Sequence, residues 1–270
     1  MVTKKQTKKI VSIGLGEIGS ATLGEMIRIT ELKKLPFEFS GVDINEDTLN
    51  NLKKKYPKVN FSKEIPIANY YIISVYTTEQ VESVLNKINK ENKPLVIIES
   101  TIFPKTVEYL RSLWSKNKDF NLALFPHRFN PNDPEHFVFN LHRIIGAVDD
   151  ESLEKALDFY TNFIPKKLVT TVPFEIAALS KVAENAYRFI EIAISEEWRL
   201  ECVRLGIDFN ELRKAMNTKW NIELKEARDG IGGKCLPKDV TLLNEFFTNN
   251  KIIKSAIDIN EDYKKKYGKK

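Results

Sequence analysis

Residues 9–14, KIVSIG, form an apolar run that ends in glycine, and the chain continues as Gly14-Leu15-Gly16-Glu17-Ile18-Gly19. A strand that stops on a glycine turn and restarts as a helix predicts a β-α unit whose helix N-terminus faces whatever the turn holds. Gly14 makes the tight turn, Gly16 lets backbone amides approach a pyrophosphate, and Gly19 allows close packing of helix on strand. Glu17 and Ile18 open the helix, where free N–H groups and partial positive charge attract an anion. Asp43 ends the next strand-like run, 24 residues after Gly19, where a carboxylate accepts hydrogen bonds from an adenosine ribose and repels a 2′-phosphate. The expected cofactor is therefore NAD rather than NADP. The competing readings are a turn that binds nothing or one that binds another nucleoside.

Beyond this turn the chain keeps the same alternation. Strand-like runs at 37–43, 69–75, 94–99, 121–125 and 142–148 are separated by helical patterns at 17–34, 46–56, 78–90 and 104–116. This alternation argues for an α/β fold with a Rossmann-type parallel sheet covered on both faces. The character changes near Pro173. From Glu175 to Leu205 the apolar spacing is helical throughout, opened by Pro173 and closed by Gly206. At 1.5 Å per residue such a helix runs roughly 45 Å, which suits a spine between domains or a dimer interface. The expected organisation is a Rossmann domain over 1–172 and an all-helical domain over 173–270, with shorter helices at 209–217, 238–249 and from about 253.

Composition excludes several classes. No apolar run approaches the roughly 18–20 residues that span a bilayer, and the N-terminus carries no signal-like apolar core. A cytoplasmic protein without membrane contact is expected. The net charge of +5 owes much to the ends, at Lys4, Lys5, Lys8, Lys9, Lys264, Lys265, Lys266, Lys269 and Lys270. Solvated termini explain it, and no motif for nucleic acid accompanies it. No zinc-finger spacing is present, and no metal site is expected.

Two cysteines far apart make no disulfide framework. Cys202 lies in LECVRL, an apolar helix face, and reads as core. Cys235 lies in Gly230-Ile231-Gly232-Gly233-Lys234-Cys235-Leu236-Pro237-Lys238-Asp239. Glycines let the backbone fold tightly around a ligand, Pro237 stiffens the exit, and Lys234 and Lys238 are cations able to favour a nucleophilic thiolate. Lys181 and Asn185 are four apart on the long helix and share a face. A lysine turned inward there suits a developing alkoxide; otherwise it sits at a solvent edge.

These signals, in this order, resemble the UDP-glucose/GDP-mannose dehydrogenase family, including its UDP-N-acetylmannosaminuronate branch. AALSKVAENAYRFIEIAISEE resembles the family's central-helix motif, DGIGGKCLPKD its cysteine loop, Glu99-Ser100-Thr101-Ile102-Phe103-Pro104 its Ser-Thr strand end and HRIIGA its following strand. The resemblance runs from about residue 9 to 262. It implies NAD-dependent, two-step oxidation of a primary alcohol to a carboxylate. Carried over by position, Cys235 attacks the aldehyde to give a thiohemiacetal and later a thioester. Lys181 stabilises the oxyanion, Asn185 positions substrate or water, Asp239 anchors a water and the lysine, and Thr101 touches the nicotinamide or a water. Val75, Tyr76, Thr77 and Ser100 complete the expected cofactor lining. The resemblance also implies a homodimer through the 174–205 helix and a basic residue lent by the partner, for which Lys219 is the nearest candidate.

Two departures stand out. Family members continue into a further, nucleotide-binding domain, whereas this chain stops at DYKKKYGKK, about where that domain would begin. The expectation is that it lacks the domain: either the substrate is not a nucleotide sugar, a partner chain completes the site, or the chain is shortened. The family's Pro-Glu is replaced by Pro126-His127. His127 reads as a general base, as a mark of a lost second step, or as a residue packed at a strand end. Two other functions remain open on the sequence. One is a two-electron β-hydroxyacid dehydrogenase, which uses a Lys-Asn pair without a cysteine. The other is a non-catalytic NAD-binding protein.

Overall fold

The computed structural model describes residues 6–103, 105–129, 133 and 135–268. Lys4, Lys5, Pro104, Lys269 and Lys270 lie outside the described residues. Contacts divide the chain into two units, 1–181 and 182–270.

In the first unit, short apolar runs form eight strands: β1 (Lys8–Ile13), β2 (Phe37–Val42), β3 (Asn60–Ser62), β4 (Tyr70–Ile73), β5 (Leu95–Ile98), β6 (Asn121–Leu124), β7 (Arg143–Ala147) and β8 (Val169–Thr171). They pair in the order β3-β2-β1-β4-β5-β6-β7-β8. Helices α1 (Glu17–Lys33), α2 (Glu46–Lys55), α3 (Thr78–Lys87), α4 (Thr106–Asn117) and α5 (Asp150–Tyr160) connect them. Residues of β5 and β6 are buried at every position, as strands covered on both faces must be. Alternate side chains serve opposite faces. Val11, Ile13, Tyr71, Ile73, Val96 and Ile98 pack with Val81, Leu85 and Leu110 of α3 and α4. Ile10, Ile72, Leu95 and Ile97 pack with Met26 of α1 and Phe159 of α5. Each fully buried aliphatic side chain contributes about 1.5–3 kcal/mol.

The expected parallel sheet is present with one exception: β7 runs antiparallel to β6, pairing Ala123 with Ala147. Strand direction leaves no mark in residue pattern, so the sequence could not reveal it. Helix α5 and strands β3 and β8 were not anticipated. Asp149, whose side chain accepts from Ser152 N–H, caps α5 as such residues do, so that helix was legible. The two strands have three residues each, too few to show a period.

The sheet order reverses at β1, which has β2 on one side and β4 on the other. Ile13 is level with Val42 and Ile73, Ile73 with Ile98, and Ile98 with Leu124. The residues that follow these strands therefore line one edge, at the switch point where open α/β sheets bind ligands.

Helix α6 (Phe174–Leu205) spans 32 residues, and the unit boundary falls within it. The second unit contains its remainder with α7 (Phe209–Met216), α8 (Cys235–Phe246) and α9 (Lys251–Tyr267). Its core gathers Cys202, Phe209, Leu224, Ala227 and Tyr263, so Cys202 is the packed residue its flanks suggest. The stretch between α7 and α8 is held by side chains in place of regular structure. Asn217 Oδ1 accepts from Leu224 N–H at 2.7 Å, and its Nδ2 donates to Leu224 O at 3.1 Å. Arg199 donates to the carbonyls of Ala227 and Arg228. The helix read at 238–249 begins earlier, at Cys235. Pro237 is compatible with that because a proline in the first helical turn forfeits no intrahelical hydrogen bond. Among the described residues, no helix is long and apolar enough to cross a membrane.

Candidate active site

The glycine turn has the shape the motif demands. Gly14 has φ +83°, which disfavours any side chain. A Cβ on Gly19 would lie 1.9 Å from the Gly14 carbonyl oxygen, whereas one on Gly16 would meet nothing within 4 Å. Helix and turn thus touch at Gly19 while space stays open over Gly16. Gly16 caps α1 without a side-chain hydrogen bond, so no side chain competes for the amides of the exposed Glu17 and the half-buried Ile18. Asp43 Oδ2 accepts from Leu15 N–H at 2.6 Å and Oδ1 from Asn45 N–H at 2.8 Å. The carboxylate is fixed beside the turn, and each oxygen keeps a second lone pair for a ribose hydroxyl. These features fit a dinucleotide: Gly14, Gly16 and Gly19 for the pyrophosphate and Asp43 for the ribose. Gly19→Ala is expected to weaken NAD binding at least about tenfold, because the new methyl must push α1 off the turn. Calorimetric titration with NAD checks this.

Further along the same edge, Val75, Tyr76 and Thr77 follow β4, and Ser100 and Thr101 follow β5. Val75 packs against the turn, its Cγ1 2.9 Å from where a Gly14 Cβ would stand. Thr77 also caps α3, in a reciprocal box with Gln80. The Ser100 hydroxyl donates to Ile73 O at 3.3 Å, and Thr101 is half-buried. A separate groove of about 710 Å³, along α1 and the α2–β3 turn, contains none of the expected residues.

Behind this edge lies a buried polar network that sequence reasoning missed. Glu99 Oε1 accepts from Arg143 Nη2 at 3.2 Å and from Tyr160 OH at 3.0 Å. Its Oε2 accepts from the hydroxyls of Thr22 at 3.3 Å and Ser74 at 3.4 Å. Arg143, fully buried, also donates to the carbonyls of Phe125 at 2.6 Å and Pro126 at 3.1 Å, tying the β6 end to the sheet. A charged residue inside an apolar strand-like run, as in PLVIIE and HRIIGA, was the available signal.

His127 belongs to this network. It is 6% exposed. Phe129 N–H donates to Nδ1 at 3.1 Å, which puts the proton of the neutral ring on Nε2, 3.1 Å from the Thr22 hydroxyl. Burial, then the positive charges of Arg143 and Lys181, holds the imidazole well below its usual range. Both nitrogens are engaged, as in a neutral histidine packed at a strand end.

In the second unit, Cys235 is exposed and is the first residue of α8. Asp239, one turn on, is fully buried, and its Oδ2 accepts from Asn185 Nδ2 at 2.6 Å. Lys238 Nζ stands 3.6 Å from Asp239 Oδ1. Two residues singled out 54 positions apart are thus bonded directly, and the cysteine shares a helix with one of them. Lys181 lies one turn before Asn185 on α6 and is half-buried.

Sheet order, glycine turn and fixed acid define a dinucleotide-binding α/β protein with an appended helical unit. Residues 66–164 match the NAD binding domain of the UDP-glucose/GDP-mannose dehydrogenase family, and residues 175–262 match that family's central domain. The chain belongs to this family. It is 28% identical to the UDP-N-acetyl-D-mannosamine dehydrogenase of Methanococcus vannielii over 96% of this chain and 66% of that protein. It is also 28% identical to the enzyme of the same name from Methanocaldococcus jannaschii, over 94% of this chain and 65% of that protein. The solved UDP-D-ManNAc dehydrogenase of Pyrococcus horikoshii superposes with a TM-score of 0.81 at 26% identity, over 94% of this chain and 68% of that one. The chain spans about two thirds of the length of the curated relatives it matches.

Proposed function

We propose that this chain oxidises the primary alcohol of a UDP-N-acetylhexosamine-type sugar to the carboxylate, with NAD and with Cys235 as a covalent nucleophile. The observation that carries the reading is the exposed sulfur opening α8, followed one turn later by the buried Asp239–Asn185 pair at 2.6 Å. A cysteine kept only for packing would be buried, as Cys202 is. The relatives with which the chain shares 28% identity supply the substrate class.

Gly14, Gly16, Glu17, Ile18, Gly19 and Asp43 would hold the cofactor, with Val75, Tyr76, Thr77 and Ser100 along the same edge. NAD, when bound, takes up the hydride at each of two oxidation stages. The cysteine sulfur holds the aldehyde as a thiohemiacetal between stages, so that it does not escape, and carries the acid as a thioester until water cleaves it. The ammonium of Lys181 would stabilise the oxygen on which negative charge develops. Asn185, held by Asp239, would orient substrate or water, Asp239 would anchor the hydrolytic water and the lysine, and Thr101 would touch the nicotinamide or a water. His127 takes no base role in this scheme, since its Nδ1 lone pair is committed to Phe129 N–H.

The test is turnover of UDP-N-acetylmannosamine and UDP-N-acetylglucosamine beside a panel of 3-hydroxy acids. Two NADH per carboxylate from a UDP-sugar supports the reading. NADH from a hydroxy acid alone points to the two-electron alternative, and NAD binding with no NADH from any of them to a binding protein.

We propose further that the chain is a homodimer through α6. Tyr187, Ile194 and Trp198 are exposed by 63%, 39% and 37% at helical spacing, an apolar stripe suited to a second copy. Light scattering of the full chain is expected to show a dimer that Tyr187→Asp with Trp198→Asp converts to a monomer, because two buried, unpaired carboxylates per chain cost several kcal/mol. A wild-type monomer at micromolar concentration would contradict the proposal and leave Lys219 no partner site to serve.

A further inference from the structure

A buried group that the proposed chemistry does not use lies beside the segment that leads to Cys235. Glu196, on α6, is fully buried, and neither carboxyl oxygen makes a hydrogen bond with the described residues. An uncompensated buried carboxyl is costly in its charged form. The groups that favour its ionisation are the Lys264 ammonium of α9 and the amide of Ile231 in the glycine segment. That amide is engaged elsewhere, since Ile231 N–H donates to Asn260 Oδ1 at 2.8 Å. Lys264 lies along the same segment. Gly230 has φ +97°, and a Cβ there would come 2.5 Å from Lys264 Cγ. Tyr263 also lies near Glu196, and Arg199 beside Tyr263: Arg199 Nη1 donates to Tyr263 OH at 2.6 Å, and that hydroxyl donates to Arg228 O at 2.8 Å. In the segment itself, Arg228 pairs with Glu226. All these groups belong to the unit that contains Cys235.

We propose that Glu196 is a positioning residue for the cysteine segment: the protonation state of its buried carboxyl sets the conformation of residues 230–233 and thereby the presentation of the Cys235 thiol. The neutral carboxyl is compatible with the arrangement described. An ionised one requires a donor: the Tyr263 hydroxyl is given to Arg228 O, which leaves, among the groups named here, the Ile231 N–H, bonded to Asn260, and the Lys264 ammonium, whose stem covers Gly230. Taking either one rearranges the glycine segment. Burial raises the carboxyl to about 7, with Lys264 and Ile231 opposing, so the change falls near neutrality. Only the importance of Cys235 is taken from the proposed function, and thiol chemistry alone tests the role of Glu196.

The experiment is the rate of Cys235 alkylation by iodoacetamide across pH on the full chain, with Cys235→Ser as the blank for the buried Cys202. Wild type is expected to show a step of about threefold or more centred near pH 7, superimposed on the ordinary rise of thiolate with pH. Glu196→Gln, which stays neutral, should lose the step. Lys264→Met keeps the stem over Gly230 and removes the charge that favours ionisation, so it should move the step to higher pH. This second variant decides the matter if the first does not fold. A smooth profile in wild type, or a step unchanged in both variants, overturns the proposal. If the step behaves as expected while no substrate is oxidised, the positioning role stands and the enzymatic reading fails. If Cys235-dependent turnover is found without the step, the reverse holds.

Discussion

Cys235→Ser is expected to lower carboxylate formation from a UDP-sugar by at least about 10³-fold while leaving NAD affinity unchanged within about twofold. The size follows from the role. Serine in place of the thiol offers a far less acidic and poorly nucleophilic hydroxyl, so under the proposed mechanism the aldehyde is no longer captured and no thioester forms. Affinity for NAD is expected to be spared because the groups proposed to hold its pyrophosphate and ribose are the glycine turn and Asp43, which the substitution leaves intact. Stopped-flow NADH absorbance with product chromatography gives the first quantity and calorimetry the second. Full turnover in the serine variant would remove the nucleophile from the mechanism.

Arg143→Met is expected to destabilise the protein by about 3–5 kcal/mol, the usual cost of stranding one member of a buried ion pair. Glu99 would keep its bonds from Tyr160, Thr22 and Ser74 but lose the only cation among its hydrogen-bond partners in the described residues, at 0% side-chain exposure on both sides. The carbonyls of Phe125 and Pro126 would lose their donor as well. Pairing the change with Glu99→Gln should recover much of the loss, because no buried charge is then left over. Urea unfolding of the two variants and wild type measures both values. A single-variant loss under about 1 kcal/mol would show that the pair is not the keystone of this edge.

Much of this was legible in the sequence, for identifiable reasons. The glycine turn could be read because each of its positions answers to one steric demand, and the structure displays those demands at Gly14, Gly16 and Gly19. The helix over 174–205 could be read because its apolar period persists along its whole length. The link between Asn185 and Asp239 could not be read from residues alone, since nothing local joins positions 54 apart. The Glu99–Arg143 network stayed hidden for the same reason: each member appears in sequence as an isolated charge in an apolar run, and only the sheet order brings β5 and β7 to the same core. His127 was open to reading as a base, a mark of a lost step or a packed residue, and the amide of Phe129, two residues away, supports the last.

The most direct test of the covalent account is the mass of the Cys235 peptide from a turnover mixture of the full chain, NAD and UDP-N-acetylmannosamine quenched in acid. The account predicts a fraction of that peptide carrying the sugar acid as a thioester that hydroxylamine removes. An unmodified Cys235 peptide throughout a turnover that forms NADH and carboxylate would contradict it.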